Sequence, residues 1–172
     1  MEQDIKFMEI AYQEALKCLD KDEVPVGAVI VKDNQIIAQA HNLRETTNLA
    51  TAHAEVIAIN EACKKFNSWY LDECILYVTL EPCIMCSGAI INSRIKKVVF
   101  GAYEKRWLAL TTIYNSDSPV NHRPEITGGI LQEKCSKIIK DYFKNKRNNH
   151  EKNIFEKISY CKYCSCNRLV GL

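Results

Sequence analysis

The stretch Ile75-Leu76-Tyr77-Val78-Thr79-Leu80-Glu81-Pro82-Cys83-Ile84-Met85-Cys86 decides the reading of the fold. Its first six residues are apolar or β-branched and carry no charge, which predicts a strand buried on both faces. Pro82 stops the strand and suits the first turn of a helix, so a helix is expected over 83–93. A strand that runs directly into a helix is the building unit of α/β sheets.

Working outward, Val98-Val99-Phe100 predicts a further strand, closed by Gly101. Upstream, Thr51 is the expected N-cap of a helix that carries Val56, Ile57, Ile59 and Ala62 toward Phe66. Ahead of it, Val24-Pro25-Val26-Gly27-Ala28-Val29-Ile30-Val31 reads as a buried strand. A turn at Lys32-Asp33-Asn34 joins it to a second strand over 35–40, making a hairpin. Ile5, Met8, Tyr12, Ala15 and Leu19 fall at helical spacing and predict an amphipathic helix over 3–19. A last helix is expected from Ile130 to about Phe143, after which Lys144-Asn145-Lys146-Arg147-Asn148-Asn149-His150 abandons apolar periodicity. The chain thus divides into a folded body, 1–147, and a basic, cysteine-containing tail, 148–172, expected to be weakly ordered. A hairpin followed by alternating strands and helices implies an α/β fold, with a parallel or mixed sheet covered by helices on both faces.

Composition agrees with one globular domain, since 47% of the 172 residues are hydrophobic and 26% charged, unlike a disordered chain. No run of 18 apolar residues occurs, and the N-terminus, Met1-Glu2-Gln3-Asp4-Ile5-Lys6, is polar. A membrane span and a secretory leader are therefore not expected, and the cytoplasm is the expected location. In that reducing compartment the nine cysteines serve as metal ligands, reactive thiols or small apolar residues rather than disulfides. The net charge of +2 hides an asymmetry: residues 134–172 hold ten Lys/Arg against three Asp/Glu. That basic end is either an arm for a polyanion such as nucleic acid or a solubilising tail.

Two short motifs carry chemistry. His53-Ala54-Glu55 opens one predicted helix and Pro82-Cys83-Ile84-Met85-Cys86 another. Cys83 and Cys86 share one face of a first helical turn, where the helix dipole favours thiolate. Two thiolates and one imidazole form a three-ligand zinc set that leaves the fourth position to water, as in catalytic sites. Glu55 is placed to act as a base toward that water, whose pKa zinc lowers to about 7. Alone, the cysteine pair reads equally as a redox pair and the His–Glu pair as ordinary surface. Together and in this order they form the signature of zinc nucleobase deaminases.

The likeness extends to Glu23-Val24-Pro25-Val26-Gly27-Ala28-Val29, Thr51-Ala52-His53-Ala54-Glu55, Leu76 through Cys83, and Asn121-His122-Arg123. Over about residues 3–147 the chain resembles the bacterial tRNA-specific adenosine deaminases. The resemblance implies a cytidine deaminase-like three-layer α/β/α sandwich with a mixed five-stranded sheet, assembled as a homodimer. It implies one Zn2+ per chain held by His53, Cys83 and Cys86, with Glu55 as proton shuttle. The reaction implied is deamination of the wobble adenosine in a tRNA anticodon stem-loop to inosine. Asn42 would hydrogen-bond the flipped nucleoside, unless it is simply a turn former, and Val24, Ala54, Leu80 and Glu81 would line the pocket. Tyr142 and Phe143, followed by Lys144, Lys146 and Arg147, match an aromatic pair with basic neighbours suited to stacking and phosphate binding. Their alternative is core packing. Arg123 would bind phosphate or pair with Glu125.

Several features depart from that pattern. The loop at 104–112 lacks both glycines of the family, so it cannot keep a backbone that needs positive φ there without strain. Trp107 in that loop would stack on a base or pack at a dimer interface. Leu49-Ala50 replaces an Asp-Pro. Cys161, Cys164 and Cys166 form a cluster foreign to the family, readable as a second metal site with His150 or as an oxidisable tail. Cys18, Cys63, Cys74 and Cys135 are expected to be small apolar fillers. Two other functions are compatible with the motif. A deaminase of free guanine or cytosine would need no basic end. A non-catalytic zinc-stabilised RNA-binding module would need no Glu55 and would close its metal with four protein ligands.

Overall fold

In a computed structural model describing residues 1–105, 109–116 and 119–148, the quoted apolar stretch is the middle strand of a five-stranded sheet. In chain order the elements are α1 (Glu2–Leu16), β1 (Gly27–Lys32), β2 (Gln35–His41), a short α2 (Arg44–Thr47), α3 (Ala54–Phe66), β3 (Ile75–Leu80), α4 (Ile84–Asn92), β4 (Lys97–Ala102), α5 (Leu110–Tyr114), β5 (Glu125–Gly128) and α6 over 132–148. The sheet order is β2-β1-β3-β4-β5. β1 runs antiparallel to both neighbours, whereas β3, β4 and β5 are parallel, so the sheet is mixed, as expected. Two compact units divide the chain, Met1–Ile139 and Lys140–Leu172, and the first contains the whole sheet. Trp107, His150, Cys161, Cys164, Cys166 and the expected tail beyond residue 148 lie outside the described residues.

Alternation along the central strands builds a core on each face. Ala28, Ile30, Leu76, Val78, Val98 and Phe100 pack against Ala54, Ala58 and Ile59 of α3 and Ile90 of α4. Val29, Val31, Tyr77 and Val99 face Phe7, Met8 and Ala11 of α1 and Cys135 of α6. The result is the α/β/α sandwich of cytidine deaminase-like proteins. Burial pushes the thiols of Cys18, Cys63, Cys74 and Cys135 up, to about 11 for Cys74 and about 12 for Cys135, so all four are inert fillers. Among the described residues no helix is long and apolar enough to cross a membrane.

The structure corrects the sequence expectation at several boundaries. α1 ends at Leu16 and buries Phe7, Met8, Ala11, Glu14 and Ala15, while Ile5 and Leu19, expected inside, are 41% and 45% exposed. The cause is a close backbone approach: a Cβ on Gly27 would stand 2.0 Å from the Ala11 carbonyl oxygen and 2.5 Å from the Ala15 nitrogen. Only a helix face of small residues can come so near the strand. β1 starts at Gly27 because the Val26 N–H turns back to the Val24 carbonyl at 2.8 Å and Pro25 has no N–H for the ladder. The hairpin turn uses positive φ at Asp33 and Asn34, 48° and 62°, as a type I′ turn requires.

Thr51 is not the cap of α3; its carbonyl accepts the His53 N–H at 2.8 Å, and His53 occupies the cap position. β4 continues through Gly101, where a side chain would meet Cys135 Sγ at 2.5 Å, so this glycine serves packing rather than a turn. β5 is an edge strand of four residues, too short and polar to show in the apolar pattern.

Candidate active site

Two helix N-termini present the chemistry. His53 is the cap residue of α3 and Cys83 that of α4, both in extended backbone (φ −79°, ψ 149° and φ −68°, ψ 173°). Neither side chain makes the capping bond of a Ser or Asp cap, which leaves both available to other partners. His53 Nδ1 lies 3.8 Å from Cys83 Sγ and 3.5 Å from Cys86 Sγ. The three donor atoms all fall within 4.8 Å of one another, a group that can hold a metal ion. With Zn–N of about 2.1 Å and Zn–S of about 2.3 Å, tetrahedral geometry separates nitrogen from sulfur by about 3.6 Å. The two observed distances bracket that value, so the donor set fits zinc.

Protons report the same focus. The Cys86 thiol donates to Cys83, and with His53 alongside it this holds the Cys83 thiol far down, at about 4. Cys86 is pushed up strongly, first by donating to Cys83 and then by burial. Bonding to Cys83 raises the His53 imidazole. Glu55, on the first turn of α3, is buried, and burial drives its carboxyl upward against the pull of His53. A carboxyl raised in this way takes up a proton more readily, as a proton carrier must.

The other expected site residues occupy three places. Asn42 follows β2 and is buried, its Nδ2 donating to Glu23 Oε2 at 3.0 Å. Its neighbour Leu43 donates through its N–H to the Ala52 carbonyl at 3.0 Å, which ties this segment to the chain entering the His53 cap. Ala54 is fully buried behind that cap, and Val24 and Leu80 are partly buried against the same core. In the second unit, Tyr142 is buried and Phe143 partly so. Their rings meet edge to face at 5.2 Å, and Lys146 Nζ bonds the Tyr142 hydroxyl at 2.9 Å.

Three comparisons place these features among known proteins. Residues 1–102 match the cytidine and deoxycytidylate deaminase zinc-binding region. The tRNA-specific adenosine deaminase of Bacillus subtilis is 46% identical over 86% of this chain and 92% of its own length. That of Aquifex aeolicus is 48% identical over 83% and 95%. The chain belongs to the tRNA-specific adenosine deaminase family. A solved structure from studies of A-to-I editing by tRNA:A34 deaminases at the wobble position of transfer RNA superposes with a TM-score of 0.74. Its sequence identity is 36%, covering 77% of this chain and 98% of that one.

The loop after β4 contains no glycine from Tyr103 to Thr112. Ala109 is extended and forms an isolated antiparallel bridge with Cys83, and the Leu110 N–H donates to the Pro82 carbonyl at 3.0 Å. The Glu81 carboxylate, expected only to contribute backbone to a pocket wall, accepts the N–H of Glu104 at 3.1 Å and of Thr111 at 3.0 Å, together with the Thr111 hydroxyl. An anion therefore sits at the start of α5, where the orphan N–H groups and helix dipole favour it. At the other end, Arg123 donates to the carbonyls of Tyr114 at 2.6 Å, Ser116 at 3.1 Å and Ile113 at 3.4 Å. Its guanidinium thus closes α5.

Sequence reasoning assigned no role to Glu23, to the Glu81 side chain or to Ala109. One signal for Glu23 was present: a carboxylate directly before a wholly apolar strand must either be exposed or have a partner. Its partner, 19 residues on, is not marked by any spacing rule.

Proposed function

We propose that this chain is a zinc-dependent tRNA adenosine deaminase that converts the wobble adenosine of an anticodon to inosine, releasing ammonia. The observation that carries the reading is the meeting of His53 Nδ1 with the thiols of Cys83 and Cys86 at two helix starts, with buried Glu55 on the same first turn. His53, Cys83 and Cys86 hold one zinc per chain. The metal, when bound, supplies a water acidified to about pKa 7.

The rest of the chemistry belongs to the chain. Glu55 takes a proton from the attacking water and delivers it to ring N1, so that hydroxide adds at C6. Glu55 then takes the proton of the new C6 hydroxyl and gives it to the amino group, the C6–N bond breaks as the C6 carbonyl forms, and water plus adenosine becomes inosine plus ammonia. Asn42 contacts the flipped nucleoside, and Val24, Ala54 and the backbone of Leu80 and Glu81 shape its pocket. Phe143, braced by the buried Tyr142, and the basic residues after it grip the anticodon stem-loop by stacking and charge. The deaminase domain spans 1–147, followed by a basic tail over 148–172; the enzyme works as a homodimer in the cytoplasm.

Sequencing of reverse-transcribed tRNA after incubation with the protein tests the reading: A-to-G changes confined to the wobble position are expected. Turnover of free guanine or cytosine, with none on tRNA, would replace it by the free-base activity.

A further inference from the structure

Glu23 is fully buried and bridges two segments beside the site. Its Oε1 accepts the Thr46 N–H at 2.6 Å and its Oε2 accepts Asn42 Nδ2–H at 3.0 Å. Burial alone would raise this carboxyl, but the Thr46 N–H and hydroxyl and the charge of Arg44 hold it below the usual carboxylate range. It is therefore an acceptor on both oxygens, which removes the usual ambiguity of an amide: Asn42 can face it only with nitrogen. Oδ1 must point elsewhere. Among the described residues Asn42 Oδ1 has no hydrogen-bond partner, yet it is not sealed from solvent, although the residue as a whole is buried. The backbone on either side is fixed as well, with the Asn42 N–H on the Val26 carbonyl and the Leu43 N–H on that of Ala52, each at 3.0 Å.

We propose that Glu23 is a positioning residue which, by accepting Asn42 Nδ2–H, fixes that amide with Oδ1 outward as the acceptor for a hydroxyl or N–H donor of the nucleoside. This rests on the reading of Asn42 as a substrate contact. The chemistry predicts what a near-isosteric change does. In Glu23→Gln the Thr46 N–H still requires an acceptor, so the new amide keeps oxygen toward Thr46 and turns its NH2 toward Asn42. Two donors then face each other, Asn42 flips, and the site meets a donor where it had an acceptor. In the double variant Glu23→Gln/Asn42→Asp every hydrogen bond is restored with the same total charge, and residue 42 again presents an acceptor.

The test is steady-state deamination of an anticodon stem-loop by the full chain, with zinc content and melting temperature measured on each variant. Glu23→Gln should lose about tenfold to a hundredfold in kcat/KM, the scale of leaving a substrate donor unsatisfied against another donor. Asn42→Asp alone should lose at least as much, because it places two carboxylates together in a buried position. The double variant should recover to within a few-fold of wild type, a coupling that a merely structural glutamate would not produce. Full activity of Glu23→Gln beside an impaired Asn42→Ala, or a double variant no better than the worse single, overturns the positioning role and leaves the Asn42 contact standing. Full activity of Asn42→Ala overturns both.

Discussion

His53 Nδ1 stands 3.5 Å from Cys86 Sγ, although the two residues belong to different helices and are 33 positions apart in sequence. The starts of α3 and α4 set the donors at a spacing that suits one zinc ion.

Zinc held by this donor set should be required for activity and should stabilise the folded protein. Exhaustive chelation is expected to abolish deamination, and one equivalent of zinc to restore it, with a rise in melting temperature from binding to the folded state. Cys86→Ala should abolish retention of the metal. Elemental analysis beside activity checks this, and turnover by zinc-free protein would contradict it.

Replacing Glu55 by Gln keeps size and burial but removes the proton carrier. Deamination is expected to fall by at least about 10² to 10⁴-fold, with zinc content and RNA affinity unchanged. Single-turnover kinetics on an anticodon stem-loop, with binding measured in parallel, separate chemistry from recognition.

Gly27→Ala forces a methyl into the Ala11 carbonyl and the Ala15 nitrogen, both backbone atoms that no rotamer change can move. A loss of about 1–3 kcal/mol or more is expected, read as a lower urea midpoint with the slope conserved. A midpoint equal to wild type would mean that α1 can slide away from β1 at no cost.

Glu81→Ala removes the acceptor of three donors from the loop after β4, two of them backbone N–H groups. Hydrogen bonds to a charged group contribute about 1.5–3 kcal/mol, so global stability should fall by roughly that amount. Thr111→Val deletes one of the three donors and should cost no more than Glu81→Ala, about 1.5 kcal/mol. Limited proteolysis should cut near residues 104–110 faster in Glu81→Ala than in wild type.

Alanine at Phe143 should weaken RNA binding by about 1–3 kcal/mol wherever a base stacks on the deleted ring. Removing Lys144, Lys146 or Arg147 should instead reduce the salt dependence of binding, with the slope falling by about 0.7–0.9 for each phosphate no longer neutralised. Fluorescence anisotropy across a salt series tells the two apart, and an unchanged slope after all three substitutions would exclude these residues from the interface.

Much of the architecture was legible because it is written in local pattern. The uncharged run 75–80, the hairpin and the helix carrying Val56 to Ala62 appear as β3, β1–β2 and α3. The donor set was legible because Cys83 and Cys86 share one turn and His53 opens another. What failed was decided by neighbours distant in sequence. The buried face of α1 follows the close approach to Gly27, β4 runs through a glycine because Cys135 leaves no room for a side chain, and β5 exists only through its pairing with β4. Glu23, Asn42 and Glu81 are polar groups whose partners lie 19 to 30 residues away, and no periodicity announces such pairs.

The fastening of α5 has a further consequence. Glu81 grips backbone N–H groups at one end and Arg123 grips carbonyls at the other, so nearly all the bonds are to atoms every residue possesses. The exposed side chains between them, Thr112, Tyr114 and Asn115, can change without undoing that frame, whereas Leu110 is fixed in the core. Natural drift or directed evolution can therefore rewrite the surface beside Cys83 one side chain at a time, with the frame that presents it left intact.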